Sequence, residues 1–446
     1  YLSMLNVCTI ESFTKNAESI YSKASKYLGK TRVEQMTQDY FAKRFIGGDS
    51  LEKVLVLVKS YNDKGFSTIA NFAIECKTDG HYTFEEMENF TDIYIHTIQE
   101  VSKFSNLNST AMKFSALVEE HLLLALNKVQ QDMLDIFRKL PHGIDIPFSK
   151  FISKLEKRGY NFSLEEQEQI KSSFNAKDDI IEWKSWPIYA HVFNIKSPCL
   201  PLLRVAGIKD NEIALLTNFT NRLHRIFGSG KENGCSVMVD AEQSYLQFIF
   251  SSITEQFQTI YNKEEVVVLN TIQNYLKESV LKIEDEIRRH TILNIPFGFK
   301  MVRGAYMSEE NRIALEKGSE SPVCDSYEQT SFNFTKNLSL LNENLIEGSN
   351  IVIASHNFNT NDGAFDYPSK CFSHAQLLGL GDHLSFWLQQ NNKRVYKYIP
   401  FGKLDVLMPY LLRRAQESSD MMKKNTITSS LVIDEIKKRF PKSKSQ

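Results

Sequence analysis

Residues 266–302 read VVVLNTIQNYLKESVLKIEDEIRRHTILNIPFGFKMV, and this stretch contains a complete strand–helix–strand pattern. Two short apolar runs, Val266–Leu269 and Phe299–Val302, have the length of buried strands. Between them, Asn274–Arg289 has the apolar spacing of an amphipathic helix. Two buried strands joined by a helix are typical of a parallel β/α unit, whose strands read as continuous apolar runs.

The same alternation extends over the second half of the chain, where further runs are separated by amphipathic stretches such as Asn211–Phe227 and Gln243–Ile260. The other predicted strands are Thr68–Ile74, Leu200–Val205, Ser236–Val239, Ile351–Ala354, Ala375–Leu378 and Tyr396–Ile399. Eight strands is the number that closes a (β/α)8 barrel, so we predict an α/β fold of this type. A doubly wound open sheet is the alternative, although Gly379-Leu380-Gly381 lacks the third glycine of a dinucleotide-binding loop.

Three regions are predicted along the chain: an N-terminal helical arm over residues 1–64, the barrel over 65–436, and a basic tail over 437–446. A helical insertion is predicted after the first strand, at about 80–195, because helical spacing continues from Phe84 to Phe137. Its acidic loop, 175–186, faintly resembles a calcium-binding loop. Lys177 stands where a ligand oxygen is needed, so a structural helical hairpin is the better interpretation.

The composition of the chain argues against several classes of protein. The formal net charge of −1 gives no long-range field that favours nucleic acid. Six scattered cysteines without a CxxC pair indicate neither a disulfide framework nor a zinc site. No apolar run reaches the ~20 residues that span a bilayer. The tail carries enough positive charge for peripheral contact with an anionic membrane, and a solvated end is the alternative.

Polar side chains follow several predicted strands where each strand ends, and catalytic groups of a barrel gather at these carboxyl ends. Each of them alone is equally compatible with a capped turn. Lys300 is more informative, because the two-residue period of a strand places it on one face with Val302, Gly304 and Tyr306. A lysine that lines a barrel needs a negative partner or a ligand, since an unpaired buried charge is costly.

The last predicted helix carries a second signal. Glu417 lies three and four residues after Arg414 and Arg413, and Tyr410 lies three and four residues before them, so all four share one face. Two guanidinium groups oriented by a carboxylate suit bidentate binding of a substrate carboxylate. A solvated surface ion-pair helix is the alternative.

These blocks together resemble the proline dehydrogenase family, in its eukaryotic mitochondrial branch. The resemblance covers about residues 199–420. The matching blocks are Met238–Gln243, Asn270–Lys277, Lys300–Tyr306, Ser355–Asn357, Gln376–Asp382, Tyr398–Gly402 and the double-arginine helix.

The resemblance implies roles for individual residues. The residues that would surround the substrate proline are Asp240, Tyr306, Leu377, Tyr398, Tyr410, Arg413 and Arg414, with Glu417 orienting the two arginines. The residues that would contact FAD are Gln273, Lys300, Gly304, Ala305, His356 and Asn357. The implied reaction is oxidation of L-proline to Δ1-pyrroline-5-carboxylate by hydride transfer to FAD. Electrons would then pass to ubiquinone on the matrix side of the mitochondrial inner membrane, and no metal is needed.

At one position we expect a residue that differs from the one the family carries. The family carries a lysine on the second barrel strand, in a Lys-apolar-Thr-Ala-Leu pattern, and we align Arg204 of Leu203-Arg204-Val205-Ala206 with that lysine. Arg204 would then line the barrel and serve the substrate carboxylate. Two alternative functions stay open: a hydroxyproline dehydrogenase, which Tyr398 disfavours because that branch has a small polar residue there, and a catalytically silent binding or scaffold barrel, which Arg204 motivates.

Overall fold

The computed structural model describes residues 17–37, 43–74, 82–140, 143–403, 407, 408, 410, 411 and 414. The chain divides into two compact units. The larger unit comprises Leu55–Gln376 and Gly381–Tyr398, and the smaller unit comprises Tyr1–Val54, Leu377–Leu380 and Ile399–Gln446. The predicted basic tail, 437–446, lies outside the described residues.

Eight parallel strands close into a barrel in the order β1-β10-β9-β8-β7-β6-β5-β2, so the predicted (β/α)8 barrel is confirmed. The barrel strands are β1 (Ser67–Phe72), β2 (Ser109–Met112), β5 (Ser236–Val239), β6 (Val268–Gln273), β7 (Gly298–Val302), β8 (Asn350–Ala354), β9 (Phe372–Leu377) and β10 (Val395–Phe401). Two short strands outside the barrel, β3 (Ile146–Pro147) and β4 (Ile180–Ile181), pair with each other in antiparallel fashion.

Helices separate the strands along the chain. The helices before β5 are α1 (Ala17–Leu28), α2 (Lys30–Thr37), α3 (Lys43–Phe45), α4 (Leu51–Asn62), α5 (Phe84–Ser102), α6 (Glu120–Arg138), α7 (Phe148–Glu156), α8 (Leu164–Ser173), α9 (Trp186–Tyr189), α10 (Leu200–Val205) and α11 (Asp210–Glu232). The later helices are α12 (Ser244–Tyr261), α13 (Ser279–Leu293), α14 (Met307–Glu316), α15 (Tyr327–Glu343), α16 (Phe358–Asp362) and α17 (Asp382–Gln390).

The strands of the second half are buried on both faces, which explains their apolar sequences. On β7, Phe299 and Met301 join an apolar cluster with Phe334 and Leu338 of α15. The alternate residue Lys300 therefore lies on the opposite, barrel-lining face. This alternation is what places a charged side chain inside the barrel.

The second strand of the barrel is not the one predicted. Leu200–Val205 forms the short helix α10, and the second strand is Ser109–Met112, inside the stretch predicted as one long helix. β2 pairs with β1 on one side and with β5 on the other. Periodicity cannot distinguish a buried strand from a short helix in an apolar run of this length, and Pro201 suits the first turn of a helix.

The extra helices consequently follow β2 and not β1. The helix α5, which lies between β1 and β2, starts with a capping box formed by Thr83 and Glu86. The region between β2 and α10 is held by an aromatic core in which Phe137 stacks on Trp186 with ring centroids 4.9 Å apart. In the acidic loop, Lys171 pairs with Asp179 at 3.3 Å. A lysine ammonium thus balances the charge of one of the loop's carboxylates.

The smaller unit includes the N-terminal helices up to Val54 and the end of β10. Two backbone hydrogen bonds join these N-terminal residues to the end of β10. They run from the Gly47 amide to the Pro400 carbonyl (2.7 Å) and from the Gly402 amide to the Gly48 carbonyl (3.1 Å). Gly379, at φ +76°, lies against the backbone of Arg44, where a Cβ would come within 2.4 Å of the carbonyl oxygen. The glycine is needed for this close approach.

Candidate active site

Three buried side chains from different strands meet at the carboxyl end of the barrel. The ammonium of Lys300 on β7 pairs with Oδ1 of Asp240, the residue after β5. The hydroxyl of Tyr398 on β10 donates to Oδ2 of the same carboxylate at 2.6 Å. The ammonium also lies 5.5 Å from the centroid of the Tyr398 ring. The negative partner that the sequence requires for Lys300 is therefore Asp240.

The backbone fixes the carboxylate of this group. The amide of Asp240 donates to the carbonyl of Met112 at 2.9 Å, which continues the β2–β5 ladder by one residue. Lys300 and Asp240 are only 6% and 9% exposed. Because a buried ion pair gains little net stability over apolar residues, its presence at this end of the barrel points to a functional role.

A second polar group lies next to the first, at the end of β2. Lys113 follows Met112 directly and is 5% exposed. The carboxylate of Glu242 accepts from the hydroxyl of Ser115 at 2.6 Å. The Tyr94 hydroxyl accepts from the Lys113 amide at 3.4 Å, and burial raises the pKa of this phenol far above its usual value. The charges of Asp240 and Glu242 also raise this pKa, while Lys113 lowers it, so the Tyr94 hydroxyl lies in the field of all three groups.

The structure places Arg204 away from this centre. Its side chain on α10 is 54% exposed, and its Nε donates to Glu166 at 2.7 Å. Its Nη2 donates to the carbonyl of Asn161 at 2.9 Å. The pKa of Glu166 is lowered, first by the backbone amide of Ser163 and then by Arg204. The prediction that Arg204 lines the barrel was wrong, because the strand on which it was placed is a helix.

The lysine that Arg204 was thought to replace is present in the chain. The residues after β2 read Lys113-Phe114-Ser115-Ala116-Leu117, which matches the Lys-apolar-Thr-Ala-Leu pattern with serine for threonine. Sequence reasoning missed this block because it lay within a stretch predicted as helix. A direct search for the pattern would have found it.

The predicted cofactor residues lie around the neighbouring strand ends. Gln273 at the end of β6 donates to the Glu242 carbonyl at 3.0 Å. His356 is half-buried after β8. Asn357 caps α16 by accepting from the Thr360 amide at 2.9 Å, and its amide nitrogen donates to the Tyr327 hydroxyl. These residues lie at the carboxyl ends of β6 and β8, which flank β7 in the barrel.

Gly304, Ala305 and Tyr306 form the turn between β7 and α14. Gly304 has φ +136°, and a Cβ there would come within 1.6 Å of the Tyr275 ring. The glycine is therefore required by both the backbone and the neighbouring ring. Ala305 is exposed, and Tyr306 is half-buried just before the first turn of α14.

Arg303 was not among the predicted site residues. Its Nη2 donates to the Tyr327 carbonyl at 3.3 Å and to the Ser331 hydroxyl at 3.0 Å, and its guanidinium lies 4.3 Å from the Tyr327 ring centroid. Burial lowers its pKa. Its Nη1 is buried and has no hydrogen-bond partner among the described residues. The signal was a basic residue at a strand end, but the two-residue period of the strand placed Arg303 on the face opposite to Lys300.

The remaining predicted residues belong to the smaller unit. Arg414 and Tyr410 are 5% and 4% exposed, and the Arg414 guanidinium lies 4.8 Å from the Tyr410 ring centroid. This burial argues against a solvated surface helix. Leu377, at the end of β9, is half-buried. Arg413 and Glu417 lie outside the described residues.

The part of the chain that the structure describes contains no group of three or more His, Cys, Asp or Glu side chains suited to a metal ion. None of its helices combines the length and the apolar character needed to cross a membrane.

Comparison with known proteins assigns the family. A family model described as proline dehydrogenase matches residues 55–426. Proline dehydrogenase 1, mitochondrial, of Caenorhabditis elegans is 26% identical over 98% of this chain and 85% of its own length. Hydroxyproline dehydrogenase of Xenopus laevis is 32% identical over 52% of this chain and 52% of its own length.

A solved structure shows the same fold. Proline utilization A (PutA) from Bdellovibrio bacteriovorus, inactivated by N-propargylglycine, aligns with a TM-score of 0.60 at 17% identity. The alignment covers 93% of this chain and 36% of that larger chain, so this protein spans about a third of its length. With its barrel, its polar strand ends and a family match over most of its length, the chain belongs to the proline dehydrogenase family.

Proposed function

We propose that this protein oxidises L-proline to Δ1-pyrroline-5-carboxylate, with FAD as the hydride acceptor at the carboxyl end of the barrel. We further propose that ubiquinone receives the electrons on the matrix side of the mitochondrial inner membrane. The observation that carries the proposal is the buried group of Asp240, Lys300 and Tyr398 in a chain of this family. The mitochondrial name of the C. elegans relative supports the location.

The residues present fit a flavin dinucleotide. Arg303 offers a buried guanidinium nitrogen that lacks a partner among the described residues, and such a donor suits a phosphate oxygen. Gly304 follows Arg303 directly and gives the backbone the positive φ of this turn. We propose that the contacts to FAD are made by Gln273, Lys300, Arg303, Gly304, Ala305, His356 and Asn357.

Bound FAD supplies a two-electron acceptor for the hydride that leaves C5 of proline. The chain's own contribution is positional and electrostatic. Lys300 places a positive charge on the barrel-lining face, where it favours electron density on the flavin. Asp240 holds that ammonium in place inside a dry site, where charges act strongly.

The substrate is proposed to be held at both of its ends. Arg413 and Arg414 bind the carboxylate, because a pair of guanidinium groups suits bidentate contact. Lys113 at the end of β2 adds a further cation. Tyr398, fixed by its hydrogen bond to Asp240, offers its ring face to the pyrrolidine ring. A ring held in this way also excludes water from the hydride path.

Tyr398 also supports proline over hydroxyproline as the substrate. Its phenol donates to Asp240 at 2.6 Å, so the ring has one fixed position in the barrel. A bulky ring in this position leaves less room for a hydroxyl on the substrate than a small polar side chain would.

The proposal is tested by product and cofactor together. The purified protein is incubated with L-proline and ubiquinone-1, the pyrroline is trapped with o-aminobenzaldehyde, and the released flavin is identified by mass spectrometry. We expect trapped product in stoichiometric amount with quinol, and FAD. Absence of product from protein that contains FAD would overturn the activity, and release of FMN would overturn the cofactor.

A further inference from the structure

Tyr94 of α5 joins the carboxyl ends of two neighbouring barrel strands, β1 and β2. Its hydroxyl donates to the Phe72 carbonyl at 3.3 Å and accepts from the Lys113 amide at 3.4 Å. The side chain is only 1% exposed. A helix side chain therefore completes the backbone hydrogen bonding of the barrel wall, next to a lysine that is proposed to serve the substrate.

The parallel ladders of this barrel follow a fixed hydrogen-bond pattern. Met112 of β2 lies opposite Val239 of β5, and the Met112 carbonyl accepts from the amide of Asp240, the next residue, at 2.9 Å. The carbonyl of a residue thus accepts from the amide that follows its register partner. This slanted arrangement is the one expected of parallel strands.

The same pattern identifies the two groups that Tyr94 joins. The register of β1 and β2 ends with Asn71 opposite Ala111, so the next ladder hydrogen bond would run from the Lys113 amide to the Phe72 carbonyl. The Tyr94 hydroxyl bridges these two groups. A direct ladder bond spans ~2.9 Å, whereas the bridge consists of two hydrogen bonds in series. The bridge therefore lets β2 diverge from β1 where Lys113 begins.

The amino ends of β1 and β2 are held together separately. Oδ1 of Asn108, the residue before β2, accepts from the amide and the hydroxyl of Thr68, both at 3.0 Å. Nδ2 of Asn108 donates to the Val101 carbonyl near the end of α5 at 3.1 Å. Because Asn108 fixes this end of the pair, we expect the loss of the Tyr94 hydroxyl to shift the other end, where Lys113 lies.

The hydroxyl is held in place by the packing of its ring. The Tyr94 and Phe72 rings meet edge to face with centroids 5.9 Å apart, and the Phe90 ring lies at the same distance from Phe72. Burial raises the pKa of the Tyr94 phenol far above its usual value, although Lys113 lowers it. The phenol stays protonated, so it donates one hydrogen bond and accepts another at the same time.

We propose that Tyr94 is a positioning residue for substrate binding: its hydroxyl takes the place of one β1–β2 ladder bond and sets the point from which Lys113 reaches the substrate carboxylate. The inference rests on the proposed function. Tyr94 acts through Lys113, since both hydrogen bonds of its hydroxyl go to backbone groups at the strand ends. Without the hydroxyl, the Lys113 amide closes onto the Phe72 carbonyl, and the ammonium is displaced from the carboxylate.

Removing one oxygen atom tests the proposal. Tyr94→Phe keeps the ring and is made both in the wild-type protein and in Lys113→Ala. Tyr261→Phe is the matched control, because Tyr261 is the last residue of α12 and its hydroxyl also donates to a backbone carbonyl, that of His224, at 3.2 Å. Each protein is saturated with FAD and titrated calorimetrically with cyclopentanecarboxylate, which has the ring and carboxylate of proline and lacks its amine. KM and kcat for L-proline are measured in parallel.

We expect Tyr94→Phe to raise the dissociation constant of cyclopentanecarboxylate and the KM for proline about fivefold in the wild-type background, and less than about twofold in Lys113→Ala, because residues that act through one another are not additive. The value of kcat should stay within about twofold of wild type, since the carboxylate keeps its charge in the transition state. Tyr261→Phe should match wild type throughout. In a crystal structure of Tyr94→Phe, the Lys113 amide should lie ~2.9 Å from the Phe72 carbonyl.

Three results would overturn the inference. The first is an unchanged dissociation constant in Tyr94→Phe, and the second is an equal rise in Lys113→Ala, which would show a general structural effect. The third needs no variant: a wild-type crystal structure in which the Lys113 amide bonds directly to the Phe72 carbonyl. A wild-type protein that binds cyclopentanecarboxylate through Lys113 and does not oxidise proline would overturn the proposed function alone.

Discussion

The strands β7 and β2 bring a basic residue to the same end of the barrel in two different ways. β7 reads Gly298-Phe299-Lys300-Met301-Val302, and its lysine is inside the strand, paired with Asp240. β2 reads Ser109-Thr110-Ala111-Met112, and its lysine, Lys113, comes directly after the strand. The first lysine is held by the carboxylate of Asp240, directly after β5, and the second lies beside the backbone junction of β2 and β5.

The difference shows where a strand takes its stability from. The outer side chains of β7 pack into the apolar cluster under α15, so its own residues mark it as buried. β2 is four residues of small or flexible side chains, and it is held by ladders on both sides, to β1 and to β5. Its stability comes from neighbours that are distant in sequence.

The largest expected effect comes from Asp240→Ala, because it removes the partner of both Lys300 and Tyr398. Breaking a buried ion pair costs ~3–5 kcal/mol. We expect the free energy of unfolding, measured by urea denaturation, to fall by about 3 kcal/mol. The value of kcat/KM for proline should fall on the order of a hundredfold, since each 1.4 kcal/mol is tenfold.

Asp240→Asn is the control, since it keeps an acceptor for Tyr398 and loses the charge. We expect it to fall between wild type and Asp240→Ala. If the stability of Asp240→Ala equals that of wild type, Lys300 does not depend on this carboxylate.

The second prediction tests the lysine of β2. Lys113→Ala removes a buried cation proposed to serve the substrate, and a lost buried charge contact is worth ~2–5 kcal/mol. We expect the KM for proline to rise about thirtyfold, with a smaller change in kcat, because the substrate carboxylate keeps its charge in the transition state. Steady-state kinetics measure both values. A KM within threefold of wild type would remove Lys113 from the site.

The third prediction concerns the ring above Lys300. Tyr398→Ser removes the phenol that donates to Asp240 and opens space beside the substrate ring. The ratio of kcat/KM for trans-4-hydroxy-L-proline to that for L-proline should rise about tenfold, within the ~1–3 kcal/mol that steric discrimination of this kind provides. Tyr398→Phe keeps the ring and should leave the ratio nearly unchanged. An unchanged ratio in Tyr398→Ser would place the ring outside the pocket.

The smallest effect is expected at Arg204. This residue forms an exposed ion pair with Glu166, and exposed pairs contribute little. We expect Arg204→Ala to leave KM and kcat for proline within about twofold of wild type. A rise in KM that matches that of Lys113→Ala would restore the alignment of Arg204 with the family lysine.

The sequence alone was sufficient to predict the positions of the barrel strands from β5 to β10. The apolar runs predicted those strands to within a few residues: Val266–Leu269 became Val268–Gln273, and Ala375–Leu378 became Phe372–Leu377. The need of Lys300 for a negative partner also followed from the sequence, because a charge on a barrel-lining face must be balanced.

The sequence alone was not sufficient to predict β2, or to identify the negative partner of Lys300. Ser109–Met112 lacks an apolar run, and helical spacing on both sides conceals it. That Asp240 and Tyr398 share one hydrogen-bond group depends on closure of the barrel, which joins residues 158 positions apart. Arg303 escaped notice for a similar reason, since its contacts come from Tyr327 and Ser331 of α15, the second helix after β7.

The most direct test of the account is anaerobic rapid mixing of the purified protein with L-proline while the flavin absorbance is followed. We predict that the oxidised flavin band is lost in a single turnover for wild type and for Arg204→Ala at similar rates. Lys113→Ala should require far higher proline concentrations for the same loss. A flavin band that persists in the wild-type protein at saturating proline would contradict the central claim.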